Sequence, residues 1–150
     1  MLRLRIDLPA SFPFATRVAV RVDDVNLGGH LAHDAVLSLA HEARMRWLRS
    51  LGFASELDVA GAGLIMAEAA VIYRAEGTYG MELRLEVAPA QVRPATFHLV
   101  YRLSDEATGV EIARVLTRMV FFDYEARCPT RAPDAFLAAA RAQERPLTER

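Results

Sequence analysis

The sequence predicts an α+β fold in which an antiparallel sheet packs on one long helix. A continuous helical period runs from about Asp34 to Leu51. The strands that follow alternate apolar and polar side chains, as antiparallel strands with one buried face do. The elements come in the order strand, strand, long helix, four strands and short helix, with one helix long enough to bury against the sheet.

The chain has 150 residues, 53% of them hydrophobic, which is enough for one core and a single domain spanning 1–150. A net charge of -1 argues against nucleic acid or an acidic membrane surface as the main partner. All 18 basic residues are arginine, which we read as compositional bias more than a site signal. The one cysteine, Cys128, allows no internal disulfide, fits a reducing compartment and reads as a structural thiol. The N-terminus lacks the apolar run of a signal peptide, and Glu68 and Arg74 interrupt the most apolar window. A soluble, cytoplasmic protein is therefore expected.

Residues 2–8 alternate Leu2, Leu4, Ile6 and Leu8 against Arg3, Arg5 and Asp7, and residues 14–23 set Val18, Val20 and Val22 against Arg17, Arg21 and Asp23. Two strands joined through Pro9–Pro13, an opening hairpin, are expected. The long helix starts near Asp34, whose carboxylate can cap it, and stops at Gly52, which suits the left-handed position after a helix end. At about 100° per residue its apolar arc includes Val36, Leu39, Ala43, Trp47 and Leu48, with Arg44 lying among them.

Residues 64–73 are apolar on both sides, the mark of a strand covered on both faces. The next two strands are one-sided: Leu83, Leu85 and Val87 oppose Arg84 and Glu86, and Phe97, Leu99 and Tyr101 oppose His98 and Arg102. Residues 104–109 make a turn, and residues 110–124 form a long final strand. Pro133 opens a short helix, followed by a frayed tail after Pro146. The second face of the strand at 64–73 needs either the terminal helix or another subunit, and its apolar area favours a symmetric dimer or larger assembly.

Just before the long helix lies a loop dense in titratable groups: Asp23, Asp24, Asn26, His30, His33 and Asp34, with Gly28 and Gly29 inside it. A helix N-terminus presents unpaired N–H groups and a partial positive charge, so it can polarise a carbonyl or hold an oxyanion. Glycines ahead of it allow a ligand close to the backbone, although they also serve plain turns.

The text R-V-D-D-V-N-L-G-G-H-L (21–31), H-E-A-R-M-R-W-L (41–48), Leu51-Gly52, Y-R-A-E-G-T-Y-G-M-E-L (73–83) and T-R-M-V-F-F-D (117–123) resembles the hotdog-fold thioesterases of the 4-hydroxybenzoyl-CoA thioesterase-like group. The resemblance covers roughly Phe14 to Asp123. It implies a hotdog fold with the sheet wrapped around the long helix, a homodimer or homotetramer joined through the strand after that helix, and active sites at the subunit boundary. The implied chemistry is hydrolysis of acyl-CoA or acyl-carrier-protein thioesters without metal or organic cofactor. Where many members carry a catalytic aspartate this chain has Asn26, and where they carry an asparagine after the histidine it has His33. Asp-x-Asn followed by histidine is also similar to the plant acyl-carrier-protein thioesterases.

Thioester hydrolysis needs a polarised carbonyl and an activated water. The amides near His33 and Asp34, with Gly29, suit the first task. For the second, the candidates are Asp24, His30 and Glu42, with Asn26 orienting water or carbonyl because an amide has no usable pKa. Each has a plainer reading: Asp24 or Asn26 as turn residues, His30 as a packed loop residue, Glu42 as an i,i+4 partner of Arg46. Glu68 reads as a paired interior carboxylate. Tyr79 would line the acyl pocket. A hotdog hydratase or dehydratase, and a non-catalytic acyl-thioester-binding protein, are the alternative functions.

Overall fold

Side-chain alternation decides which face of each strand is buried, and the computed structural model, which describes residues 2–149 without the side chain of 149, follows it closely. The elements are β1 (Leu8–Pro9), β2 (Phe14–Ala19), a 3-10 turn (Val22–Asp24), α1 (His33–Ser50), β3 (Gly63–Tyr73), β4 (Glu82–Ala90), β5 (Thr96–Asp105), β6 (Glu111–Asp123), β7 (Cys128–Pro129), α2 (Asp134–Gln143) and β8 (Leu147–Glu149). The main sheet is antiparallel in the order β2-β4-β5-β6-β3, with β7 on β6. It is curled, and α1 lies against its inner face.

That inner face holds the main core. Leu83, Leu85 and Val87 of β4 and Phe97, Leu99, Tyr101 and Leu103 of β5 are buried against Val36, Leu39, Ala43, Trp47 and Leu48 of α1. The helix spans the expected residues to within one at each end. Gly52, at φ 92°, ends it: its N–H donates to Arg49 O at 2.9 Å and that of Phe53 to Leu48 O at 3.0 Å, the paired bonds of a Schellman cap. One side of α1 remains open, with His41 and Glu42 exposed.

Helix α2 closes the same core at its far end. Phe136 sits 4.8 Å from Phe97, 4.9 Å from Phe121 and 6.2 Å from Trp47, ring centre to ring centre. Phe136→Ala is expected to destabilise the protein by about 3–5 kcal/mol, from lost burial and the cavity left behind. Urea denaturation checks this, and a loss below about 1 kcal/mol would show that the cluster collapses to fill the gap.

The ends of the chain differ from expectation. Residues 2–7 form no ladder, β1 pairs with β8, and β2 pairs with β4, so the opening hairpin does not form. The tail after Pro146 is strand, not frayed, over Leu147–Glu149. The physical reason is a second apolar layer on the outer sheet face. Ala88 and Val100 point outward and are buried there by Ile6 and Leu8, with Leu147 packed alongside. The terminal helix does not reach this face.

Strand β3 is an edge. Its Met66–Ala69 stretch is exposed in the protomer, so the two-sided cover expected for residues 64–73 is only partly supplied by this chain. Glu68 is paired as expected, to Arg118 at 3.1 Å, but lies at the surface instead of the interior. Among the described residues no helix is long and apolar enough to cross a membrane.

Candidate functional site

The loop ahead of α1 is built by its own side chains. Asn26 Oδ1 accepts the N–H of Gly28 at 3.0 Å and of His30 at 3.2 Å, while its backbone N–H donates to His30 O at 2.9 Å. Gly29, at φ 79°, allows the turn between them. The carbonyl end of the Asn26 amide is thereby engaged in shaping the loop, and its NH₂ is the end left to meet a ligand.

Asp24 is buried and fully occupied. Its carboxylate accepts the Arg21 backbone N–H at 2.8 Å, Nε at 3.1 Å and Nη2 at 3.1 Å. The hydrogen bonds from Arg21 hold its pKa below the ordinary value of 3.8, outweighing the opposing effect of burial. A carboxyl whose folded pKa is depressed stabilises the native state fully above the unfolded value and loses that contribution as pH falls through the folded one. The stability difference between wild type and Asp24→Asn should therefore be present above about pH 4 and shrink in more acid solution, where the aspartate itself becomes protonated. Acid-unfolding curves of the two proteins measure it, and a gap independent of pH would reject the ion-pair account.

A second segment, between β3 and β4, docks onto the loop. His30 bridges Thr78, and the Leu31 N–H donates to Gly77 O at 2.8 Å. A Cβ on Gly77 would stand 3.0 Å from Leu31 Cβ, so the backbones meet closely only because residue 77 has no side chain. This docking carries Glu76 to His30: Oε2 lies 3.3 Å from Nδ1, within ion-pair range though not aligned for a hydrogen bond. The imidazole Nδ1 is shielded from solvent and has no hydrogen-bond partner.

The α1 N-terminus stands beside this pair. Ala32 is the N-cap and offers no side-chain bond, so Asp34 does not cap the helix; it lies two residues past the cap, in the first turn, where its charge complements the helix dipole. The N–H of Ala32 donates to Asp24 O at 2.8 Å and that of Ala35 to Ala32 O at 3.1 Å. The amides of His33 and Asp34 have no acceptor among the described residues. Tyr73, from the end of β3, donates its hydroxyl to His33 O at 2.8 Å and pins this corner to the sheet.

Gly29 and His30 belong to the turn that Asn26 closes, and His33 and Asp34 are exposed in the first turn of α1 that follows it. Tyr79 is exposed on the docking segment. Glu42 lies two turns along α1 and accepts Arg46 Nε at 2.9 Å, while Arg46 Nη1 reaches Thr16 Oγ1 and Arg17 O, both at 2.8 Å. That set clamps the helix to β2. Neither Glu76 nor Tyr73 is among the site residues expected from sequence, although both fall in the 73–83 stretch that carries the resemblance and Glu76 is the sole acid between β3 and β4. Among the described residues no three of His, Cys, Asp or Glu are grouped to hold a metal ion.

Comparison with known proteins matches residues 20–140 to the model of the thioesterase-like superfamily. Among solved structures, a 1,4-dihydroxy-2-naphthoyl-CoA thioesterase from Synechocystis is 21% identical with TM-score 0.78, covering 85% of this chain and 95% of its own. A thioesterase-superfamily protein from Jannaschia sp. CCS1 is 17% identical with TM-score 0.80, covering 90% and 85%. A Staphylococcus aureus protein, SAV2348, solved in complex with CoA, is 15% identical with TM-score 0.79, covering 98% and 92%. At such identities the likeness is one of fold, the hotdog arrangement of curled antiparallel sheet and helix. No curated protein matches. With the family match spanning α1, β3 to β7 and most of α2, the chain belongs to the thioesterase-like superfamily.

Proposed function

We propose that this protein is a cytoplasmic acyl-CoA thioesterase and that the junction of the loop with α1 is its active site. The observation that carries the reading is that two amides without an acceptor, at His33 and Asp34, follow within a few residues of the His30–Glu76 pair. The thioester carbonyl accepts both amides, which stabilise the oxyanion as water adds; each such donor is worth about 100- to 1,000-fold in rate. Glu76 favours the proton on His30 Nδ1, leaving Nε2 to take the proton of the attacking water. Collapse of the tetrahedral intermediate expels the thiolate, which recovers that proton, and leaves the free acid. Asn26, whose carbonyl is tied to the loop, holds the water or substrate through its NH₂.

In this scheme Asp24 and Glu42 are positioning residues. Asp24 anchors the loop through Arg21, and Glu42 steadies α1 through Arg46. Gly29, His33, Asp34 and Tyr79 border the substrate. The exposed thiol of Cys128 suits a reducing compartment.

The protein acts as a dimer through β3. Support comes from an edge strand of 11 residues with Met66 and Ala69 at the surface, a template that a lone protomer leaves unpaired. Antiparallel pairing of two copies would bring one protomer's Gly63 end beside the other's Tyr73 and close the site. Met66→Arg combined with Ala69→Asp should yield a monomer in sedimentation. A dimer that survives both changes would put the interface elsewhere.

A non-catalytic acyl-thioester-binding protein is the second reading, favoured by Asn26 standing where a carboxylate would activate water. Following free thiol with a panel of acyl-CoAs separates the two. Binding without release by the folded protein would select the second.

A further inference from the structure

We infer that the N-terminal arm, residues 2–7, forms a phosphate-binding subsite for the pantetheine phosphate or the nucleotide phosphates of the thioester substrate. The inference rests on the proposed thioesterase reading. Arg3, Arg5 and Asp7 lie ahead of the 20–140 span that the superfamily model matches, while Ile72, Arg74 and Arg114 lie within it.

The arm is anchored but not paired. Ile6 is buried on the outer sheet face, and Arg114, itself buried, donates from Nη1 to Ile6 O at 3.0 Å. Arg114 is held in turn by Glu111 at 2.7 Å. Between arm and sheet runs a groove of about 370 Å³ lined by Arg3, Arg5, Asp7, Ile72, Arg74 and Arg114. Its four arginines face two carboxylates. Glu111 serves both Arg114 and Arg74, the latter at 3.3 Å, and Asp7 meets Arg5 only at 3.8 Å. Arg3 has no carboxylate partner among the described residues. The excess of two positive charges, presented as planar forks, suits a phosphate group.

Its place on the molecule selects the ligand. Along the end of β3, Tyr73 points inward to the α1 N-terminus, while Ile72 packs on the outer cluster and Arg74 lines the groove. The groove therefore lies just across the strand end from the proposed thioester site. The flexible pantetheine arm of a substrate has to span that kind of gap. A larger groove, with Arg93, Arg141 and Arg145, sits by Ala90, at the opposite end of β4 from the loop. The arginines on the outer face of β4 and β5 are matched by Glu86 and Glu106.

Calorimetric titration of CoA, 4′-phosphopantetheine and pantetheine into wild type and Arg3→Ala/Arg5→Ala tests the subsite without turnover. Both side chains are exposed, so the variant should fold normally. CoA affinity is expected to fall at least about tenfold, with pantetheine binding unaltered. An equal loss for phosphopantetheine assigns the groove to the phosphate that a carrier protein also presents. A loss confined to CoA assigns it to the nucleotide phosphates. Equal CoA affinity in both proteins, a matching loss for pantetheine, or no CoA binding by wild type overturns the subsite. Thiol release by the wild type is scored separately and bears only on hydrolysis.

Discussion

His30→Ala is expected to lower kcat for acyl-CoA hydrolysis by about 100- to 10,000-fold, the range that a positioned general base contributes. The fold should be unchanged, because the contacts of this residue within the loop are made by its backbone: the N–H to Asn26 Oδ1, the carbonyl to the Asn26 N–H, and the bridge to Thr78. Alanine keeps all three and removes only the imidazole. Glu76→Gln should fall between wild type and His30→Ala, since it removes the charge that fixes the tautomer but not the base. Asn26→Ala should differ in kind. It frees two loop amides, so both KM and thermal stability shift along with kcat.

A loss of stability as large as that of Phe136→Ala is expected at Arg44. This guanidinium is buried within the α1–sheet core, where it bonds Glu56 and donates to Tyr101 Oη at 3.1 Å; Tyr101 in turn shares a 3.0 Å bond with Thr117. His41 Nε2 lies 3.5 Å from Glu56 on the outer side. Burial pushes the Tyr101 hydroxyl above its usual range and keeps it neutral, so the network holds one cation and one carboxylate. Arg44→Ala leaves Glu56 without its cation and opens a cavity, at a cost of about 3–5 kcal/mol. For a chain of this size that lowers Tm by roughly 6–20 °C. Replacing both partners, as in Arg44→Met/Glu56→Leu, should recover most of the loss, because an apolar pair of similar volume needs no desolvated charge. If the double variant is as unstable as the single one, packing and not the ion pair dominates at this position.

How much of this was legible before the structure follows from how local each feature is. The helix, its glycine stop and the one-sided strands rest on periodicity, and they appear where periodicity puts them. Arg44 stood out as a charge within an apolar arc, but its partner Glu56 comes from an irregular connection with no period to read. The β1–β8 pair joins strands of two and three residues from opposite ends of the chain, too short to carry an alternation. The helix cap departs from expectation because Asp34 is chemically a good cap, whereas the backbone takes its cap two residues earlier, at Ala32.

The same distinction holds at the site. The polar loop and the helix N-terminus are contiguous in sequence and were visible as one stretch. Glu76 reaches His30 only because the segment after β3 folds back onto the loop, a contact permitted by the missing side chain at Gly77. Residues that looked equivalent on the page also separate in space. Asp24 is locked to Arg21 and Glu42 to Arg46, while the His30 ring nitrogen Nδ1 faces only Glu76.

Hydrolysis at this junction is tested most directly by following free thiol from a panel of aliphatic and aryl acyl-CoAs with wild type and His30→Ala side by side. Wild type should release thiol from at least one substrate, and the folded variant should lose that release by about 100-fold or more. No release from any substrate by the folded wild type, or equal release by the variant, would contradict it.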